Sequence, residues 1–263
     1  MKKLAFSLTF LVMMSLLLFG GFAVFARTGA LAAPKANAVL RWTADPVKLG
    51  LNSFEGVEDD PSQSEPGVKH IFAEGDHYRF NMDTKQREAP GDRQRNEVKG
   101  MRQNGQILTI GLGETWRFTY WMYIPSTLKG TTSFTHIMQM KRPGQGSAPL
   151  MTMDLRRNGN SELIALKAWV SGVDVATTNL VPLRNHWIYT EVTVTAGAAP
   201  AGKLHWKLVD GGKTIVDAER DGVDMWLGDR LRPKWGIYRS VNDTADLMNT
   251  YLLLKNMNAY QIQ

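Results

Sequence analysis

Short segments that alternate apolar and polar residues, each closed by a turn signal, fill this chain and restrict it to an all-β fold. Residues 78–82 alternate in this way, and after a loop at 83–92 residues 93–101 do so again, with Arg95, Glu97 and Lys99 on one face. The stretch 116–124, ended by Pro125, carries the strongest strand pattern. Segments 134–141 and 150–156 flank a Pro143-Gly144-Gln145-Gly146 turn, and 163–170, 187–195, 204–210, 234–239 and 252–262 complete the series. Gly211-Gly212 marks a hairpin between 204–209 and 214–216. Only 223–230 has the pattern of a short helix, and no internal repeat is visible. The expectation is a β-jelly-roll sandwich whose concave sheet forms a groove, with Trp42, Trp116, Phe118 and Trp187 in the core.

The N-terminus follows a different grammar. Lys2-Lys3 precedes an uncharged run over 4–25, and small-residue sites follow at Val24-Phe25-Ala26 and Ala30-Leu31-Ala32. That is the pattern of a secretory signal peptide. The run is also long enough to span a bilayer, so an uncleaved anchor is the alternative. The expected layout is a leader and the start of a linker over 1–33, linker over 34–38, and one domain over 39–263. The protein is therefore expected outside the cell as a monomer, touching a membrane only if the leader is retained.

The chain has no cysteine, which excludes disulfides, thiolate metal sites and cysteine nucleophiles. Its formal net charge of +6 suits an anionic partner. The positive charge is dispersed rather than interleaved with aromatics in one patch, so nucleic acid is not expected. The acidic, turn-rich segment 45–67 (Glu55, Glu58, Asp59 and Asp60 among others) reads as surface loop. No cofactor is expected; structural calcium is possible there, although the spacing fits no EF-hand. There is no G-x-S-x-G elbow, H-E-x-x-H or phosphate loop, and no E-x-D-x-x-E carboxylate pattern on any expected strand.

What stands out is polarity at period-2 spacing on strands that should bury one face. Arg95, Glu97 and Lys99 form one such row. Gln139 and Lys141, in His136-Ile137-Met138-Gln139-Met140-Lys141, form a second. Lys234, Gly236 and Tyr238, in the stretch Arg232 to Arg239, form a third. A glycine in mid-strand marks a place where a ligand or another backbone comes close. Together these rows supply Arg95, Gln139, Lys141, Lys234 and Tyr238, which could converge on an anion.

The three rows, R-x-E-x-K, Q-x-K and K-x-G-x-Y, resemble in content and order the motifs of the jelly-roll polysaccharide lyases of alginate, glucuronan and heparin lyase type, with a concanavalin A-like sandwich. Gly-Glu-Thr-Trp-Arg-Phe-Thr-Tyr-Trp-Met-Tyr-Ile-Pro at 113–125 is similar to the strand between the first two motifs. The resemblance implies a lyase that cleaves an acidic polysaccharide by β-elimination. Arg95 and Gln139 would neutralise the uronate carboxylate, Tyr238 would serve as acid and base, and Lys234 would support the phenolate or the substrate charge. Glu97, Lys99, Arg239 and His77 complete the expected substrate contacts.

The chemistry requires such groups. A C5 proton beside a carboxylate is too weak an acid until the negative charge is neutralised, which a guanidinium and an amide donor can do. A tyrosine with an ordinary pKa of about 10 needs neighbouring cations to act as a base. One position departs from the family pattern: Lys141 stands where the second motif ends in His. Tyr238 must then act alone, or His136 or His77 be recruited; on strict alternation His136 faces away from Gln139, and only a bulge would turn it into the groove. His186 and His205 read as surface residues. A non-catalytic module that binds acidic polysaccharide on the same fold is the alternative function.

Overall fold

The computed structural model describes residues 37–263 apart from Pro90, Gln145 and Ser147. The expected leader and residues 34–36 of the expected linker lie outside the described residues, and Ala38 already belongs to the first strand. Among those described, no helix is long and apolar enough to cross a membrane.

The strands, in chain order, begin with β1 (Ala38–Thr43), β2 (Gly56–Asp59), β3 (Ile71–Glu74), β4 (His77–Met82), β5 (Arg93–Lys99) and β6 (Met101–Gln103). Next come β7 (Gln106–Leu108), β8 (Thr115–Tyr123), β9 (Thr135–Lys141), β10 (Pro149–Asn158), β11 (Ser161–Ala168) and β12 (Val173–Asn179). The last are β13 (Trp187–Thr195), β14 (Gly202–Asp210), β15 (Lys213–Val223), β16 (Arg232–Ser240) and β17 (Thr250–Ile262). One sheet runs β15-β14-β13-β8-β17-β4-β3, with β1 also pairing β17. The other has seven strands in the order β12-β11-β10-β9-β16-β5-β2, and β6-β7 form a small hairpin. Sequential strands are repeatedly separated in space, and the two antiparallel sheets form a jelly-roll sandwich.

Alternation explains the core. In β13 every second residue is buried, and in β16 Trp235 and Ile237 face inward. Trp235 stacks on Trp42 (5.5 Å between centroids) and meets Phe118 edge-on at 5.8 Å. Trp42 satisfies its indole N–H on the Ser53 carbonyl at 2.9 Å. Trp42, Trp116 and Phe118 are core residues, as expected.

Trp187 is not in the core. It opens β13 one step out of phase with buried Ile188, so it lies half-buried on the outer face. There it packs edge-on against Tyr123, with the Lys255 ammonium 4.3 Å above its ring.

Two further expectations need correction. Residues 224–230 are irregular rather than helical: Gly228 and Asp229 both have positive φ (83° and 61°), which a right-handed helix cannot accommodate. The acidic segment is loop only in part, because Gly56–Asp59 pairs with β5 as the edge strand of the seven-stranded sheet. That pairing carries Glu58 onto the face where the polar rows lie.

Candidate active site

The polar rows become rungs across the outer face of the seven-stranded sheet. Lys234 on β16 lies between Lys99 on β5 and Gln139 on β9, and the rung continues through Thr152 on β10 to Lys167 on β11. Tyr238 lies between Arg95 on β5 and His136 on β9, and its rung continues through Asp154 on β10. The spacing of four residues on β16 and β5 is matched by only three on β9, because the register shifts between Trp235 and Tyr238. Ile137 and Met138 both face the core there, and the bulge turns His136 onto the same face as Gln139.

Gly236 lies between the two rungs with φ +139°. A Cβ there would come within 2.1 Å of the Asn96 carbonyl oxygen. The residue that comes close is the β5 backbone.

Tyr238 is half-buried and surrounded by cations and rings. Arg93 donates through Nη1 to the phenol oxygen at 2.8 Å, and the Arg95 guanidinium lies 4.2 Å from the ring centroid. The His136 ring lies 5.7 Å away and Phe134 5.0 Å away, centroid to centroid. His136 Nδ1 is 2.6 Å from the Asp154 carboxylate. With that carboxylate accepting, the neutral ring carries its proton on Nδ1, and Nε2 is the nitrogen able to take another. Burial alone would raise the Asp154 pKa, but its hydrogen bond to His136 and the nearby Arg156 lower it overall.

The first rung is built on buried charge. Glu97 is fully buried and accepts from Gln139 Nε2 and Lys234 Nζ, each at 2.6 Å. Glu58 accepts from Lys234 at 2.6 Å, Lys99 at 3.1 Å and Arg95 at 3.2 Å. Burial pushes the Glu58 carboxyl up, yet Lys234, Arg95 and Lys99 outweigh it and hold it at about 2. Arg95 is also bound by Glu88 at 3.1 Å. Burial raises Glu88 above the ordinary carboxylate range despite that guanidinium.

Lys141 is different. Burial, followed by the charges of Lys234 and Arg95, lowers its pKa, and it has no carboxylate within ion-pair distance among the described residues. It lines a cavity of about 610 Å³ together with Glu58, Glu88, Arg95 and Lys99. A second cavity, of about 330 Å³, opens beyond His136 between β9, β10 and β11.

The structure therefore brings together Arg95, Glu97, Lys99, His136, Gln139, Lys141, Lys234 and Tyr238 on one face. Glu97 and Lys99 are supports within this network: Glu97 is sealed beneath Gln139 and Lys234, and Lys99 is paired with Glu58. Two expected substrate contacts lie elsewhere. Arg239 points into the sandwich, fully buried, and donates to the Gln94 side chain and to the Asp83 and Met248 carbonyls; burial lowers it to about 10. Its odd parity on β16, shared with Trp235, dictates that orientation. His77 belongs to β4 in the other sheet, where it faces Glu74 and Asp76.

Arg93, Glu58, Glu88 and Asp154 are further members of this face that the sequence motifs do not single out. Arg93 could have been found, since it lies one period-2 step before Arg95. Glu58 and Glu88 sit in loop-like sequence with no such signal. Among the described residues, one group of side chains has metal-ligating geometry, Glu65, His70 and Asp83, with ligand atoms within 4.8 Å of one another. It lies outside both rungs.

No protein-family model matches the chain, and no curated protein sequence does. Solved structures do match it. The endo-β-1,4-glucuronan lyase of Trichoderma reesei superposes with a TM-score of 0.54 at 12% identity, over 84% of this chain and 95% of that one. The chain has the fold of the jelly-roll polysaccharide lyases. The alginate lyase of Aplysia kurodai (TM-score 0.53, 11% identity) matches over 84% of this chain and 99% of its own. An alginate lyase of Pseudomonas aeruginosa (TM-score 0.52, 15% identity) matches over 73% and 86%. These likenesses establish the jelly-roll fold, and the lyase-like motifs sit on one sheet of it.

Proposed function

We propose that this protein is a secreted polysaccharide lyase that cleaves a uronic-acid polymer by β-elimination. The observation that carries the reading is the position of the Tyr238 phenol. It receives a hydrogen bond from Arg93, lies beneath Arg95 and stands beside His136, on the face that also holds Gln139 and Lys141. The leader over 1–33 supports export.

In this mechanism the uronate carboxylate is received by Arg95, Gln139 and Lys141. Lys141 stands where the lyase motif has a histidine and contributes a cation that no carboxylate among the described residues already holds. Neutralising the carboxylate lets negative charge spread from C5 as its proton leaves. Tyr238, as phenolate, takes that proton; the C5–H electrons form the C4=C5 double bond; and the C4–O bond breaks. The departing oxygen then takes the proton from Tyr238, so one residue serves both halves of a syn elimination. Arg93 meets the charge that resides on the phenol oxygen. His136, fixed by Asp154, is the second group beside the phenol able to hold a proton.

Incubating the purified protein with alginate, glucuronan, pectate and glycosaminoglycans tests the proposal. At least one should yield the ultraviolet absorbance of a 4,5-unsaturated uronate, while neutral glucans yield none. The non-catalytic alternative draws on the engagement of both Arg95 and Gln139 by glutamates. It predicts retention on an acidic-polysaccharide gel without any unsaturated product.

A further inference from the structure

Away from the polar rungs, one buried imidazole sits among carboxylates that no Lys or Arg neutralises. His70, 3% exposed, immediately precedes β3. Its Nδ1 is 2.9 Å from Oδ1 of Asp59, the last residue of β2, and the same carboxylate accepts from the backbone N–H groups of His70 and Ile71. With Asp59 accepting, the neutral ring carries its proton on Nδ1, and Nε2 presents a lone pair. What Nε2 meets is another acceptor, Glu65 Oε2 at 3.2 Å, and it has no partner besides Glu65 among the described residues. Asp83, immediately after β4, completes the group: one ligand atom each from Glu65, His70 and Asp83 lie within 4.8 Å of one another. Among the described residues, no Lys or Arg lies within ion-pair distance of Asp59, Glu65 or Asp83, whereas Glu58, Glu88, Glu97, Asp154 and Glu162 each have one. Arg239 bonds the Asp83 carbonyl rather than its carboxylate. Even a doubly protonated His70 would leave two of the three negative charges unmatched.

We propose that Glu65, His70 and Asp83 bind one divalent transition-metal cation of the Zn²⁺ class. A cation between Nε2 and Glu65 turns two facing acceptors into two ligands and supplies the missing positive charge. The spacing fits, since two ligand atoms about 2.05 Å from a tetrahedral Zn²⁺ are about 3.3 Å apart. One imidazole with two carboxylates is a mixed nitrogen and oxygen set that suits such a metal, whereas calcium and magnesium take oxygen ligands. The ligands are held from behind: Asp59 fixes the His70 ring, and Asp83 Oδ1 accepts from the Lys85 and Gln86 N–H groups at 2.7 and 2.9 Å. A cavity of about 380 Å³, lined by His70 and Asp83 together with Asn81, Thr250 and Tyr251, gives water access to the remaining position. The metal would join the loop between β2 and β3 to the end of β4. Asp83 also begins the loop that carries Glu88 to Arg95, so the same ion would anchor one end of that loop.

The test needs no turnover and is therefore independent of the lyase reading. Purified protein is stripped with a chelator, dialysed into metal-free buffer and titrated calorimetrically with ZnCl₂; thermal unfolding is followed with and without the metal. His70→Gln, Glu65→Gln and Asp59→Asn are compared with wild type, and His186→Gln controls for zinc on a surface imidazole. Wild type and His186→Gln should bind one Zn²⁺ equally well and unfold at a higher temperature when loaded. Losing a ligand, in His70→Gln or Glu65→Gln, should weaken binding by about 100-fold or more, and Asp59→Asn by about 10- to 100-fold. Glu65→Gln leaves the buried imidazole in place, so it decides the matter even where His70→Gln does not fold. CaCl₂ and MgCl₂ should not reproduce the stabilisation. Wild type that binds no stoichiometric Zn²⁺, or equal affinity in wild type and Glu65→Gln, overturns the site. Stabilisation by CaCl₂ as large as that by ZnCl₂ overturns the assignment to a transition metal.

Discussion

Lys141 stands where the lyase motifs that this sequence resembles carry an imidazole, and it is an ammonium whose pKa is lowered by burial and by two neighbouring cations, Lys234 and Arg95. A group in that electrostatic position gains most by meeting an anion. If Lys141 receives the substrate carboxylate, Lys141→Met should raise KM by about 10-fold and change kcat less, because the contact forms already in the bound ground state. Steady-state kinetics on the best polymer provides the check. The sequence could supply the residue types but not all their orientations. Strict alternation turns His136 away from Gln139, whereas the bulge at Ile137 turns it back. Arg239 was misplaced for the opposite reason: proximity to the K-x-G-x-Y row suggested the groove, although its parity with Trp235 already pointed inward.

At the scale of the element, β16 is organised around the pair Lys234 and Glu97, both almost wholly buried. Burying either alone would be costly, and together with Glu58 and Gln139 they satisfy one another. Glu97→Ala should therefore destabilise the fold by about 3 kcal/mol, because it leaves the buried Lys234 ammonium with Glu58 alone and the buried Gln139 amide without its acceptor. Adding Lys234→Met should recover a substantial part of the loss, and urea unfolding of both single variants and the double measures the coupling. Strand positions were legible because each buries a regular face between turns. The edge strand β2 was not, because Gly56–Asp59 is a short acidic piece between turn residues and is fixed only by its pairing with β5. Glu58 consequently came to the site through tertiary structure, with nothing in its local pattern to announce it.

At the scale of the whole molecule, the carboxylates tied into the polar face set the response to acid. The folded pKa of Glu58 is depressed from 4.5 to about 2. Its stabilising contribution is therefore fully present above the unfolded value and is lost as pH falls from 4.5 through 2. Asp154, also lowered, adds a loss of the same sign, while Glu88, raised by burial, works against it. Urea midpoints measured across that range should fall more steeply for the wild type than for Glu58→Gln.

The sandwich itself was legible from alternation and turn spacing, since a jelly roll depends on which residues face inward more than on any single contact. The joint placement of Arg95, Gln139 and Tyr238 followed from the same alternation. Glu88, by contrast, reaches Arg95 from loop sequence whose path alternation does not describe. The proposed chemistry depends most on the phenol, and the most direct test is the rate at which unsaturated uronate appears with wild-type protein and with Tyr238→Phe on the same polymer. Removing the hydroxyl should slow product formation by about 10²- to 10⁴-fold, the range for loss of a general acid–base group, with binding of the polymer retained. An unchanged rate in Tyr238→Phe would contradict the account.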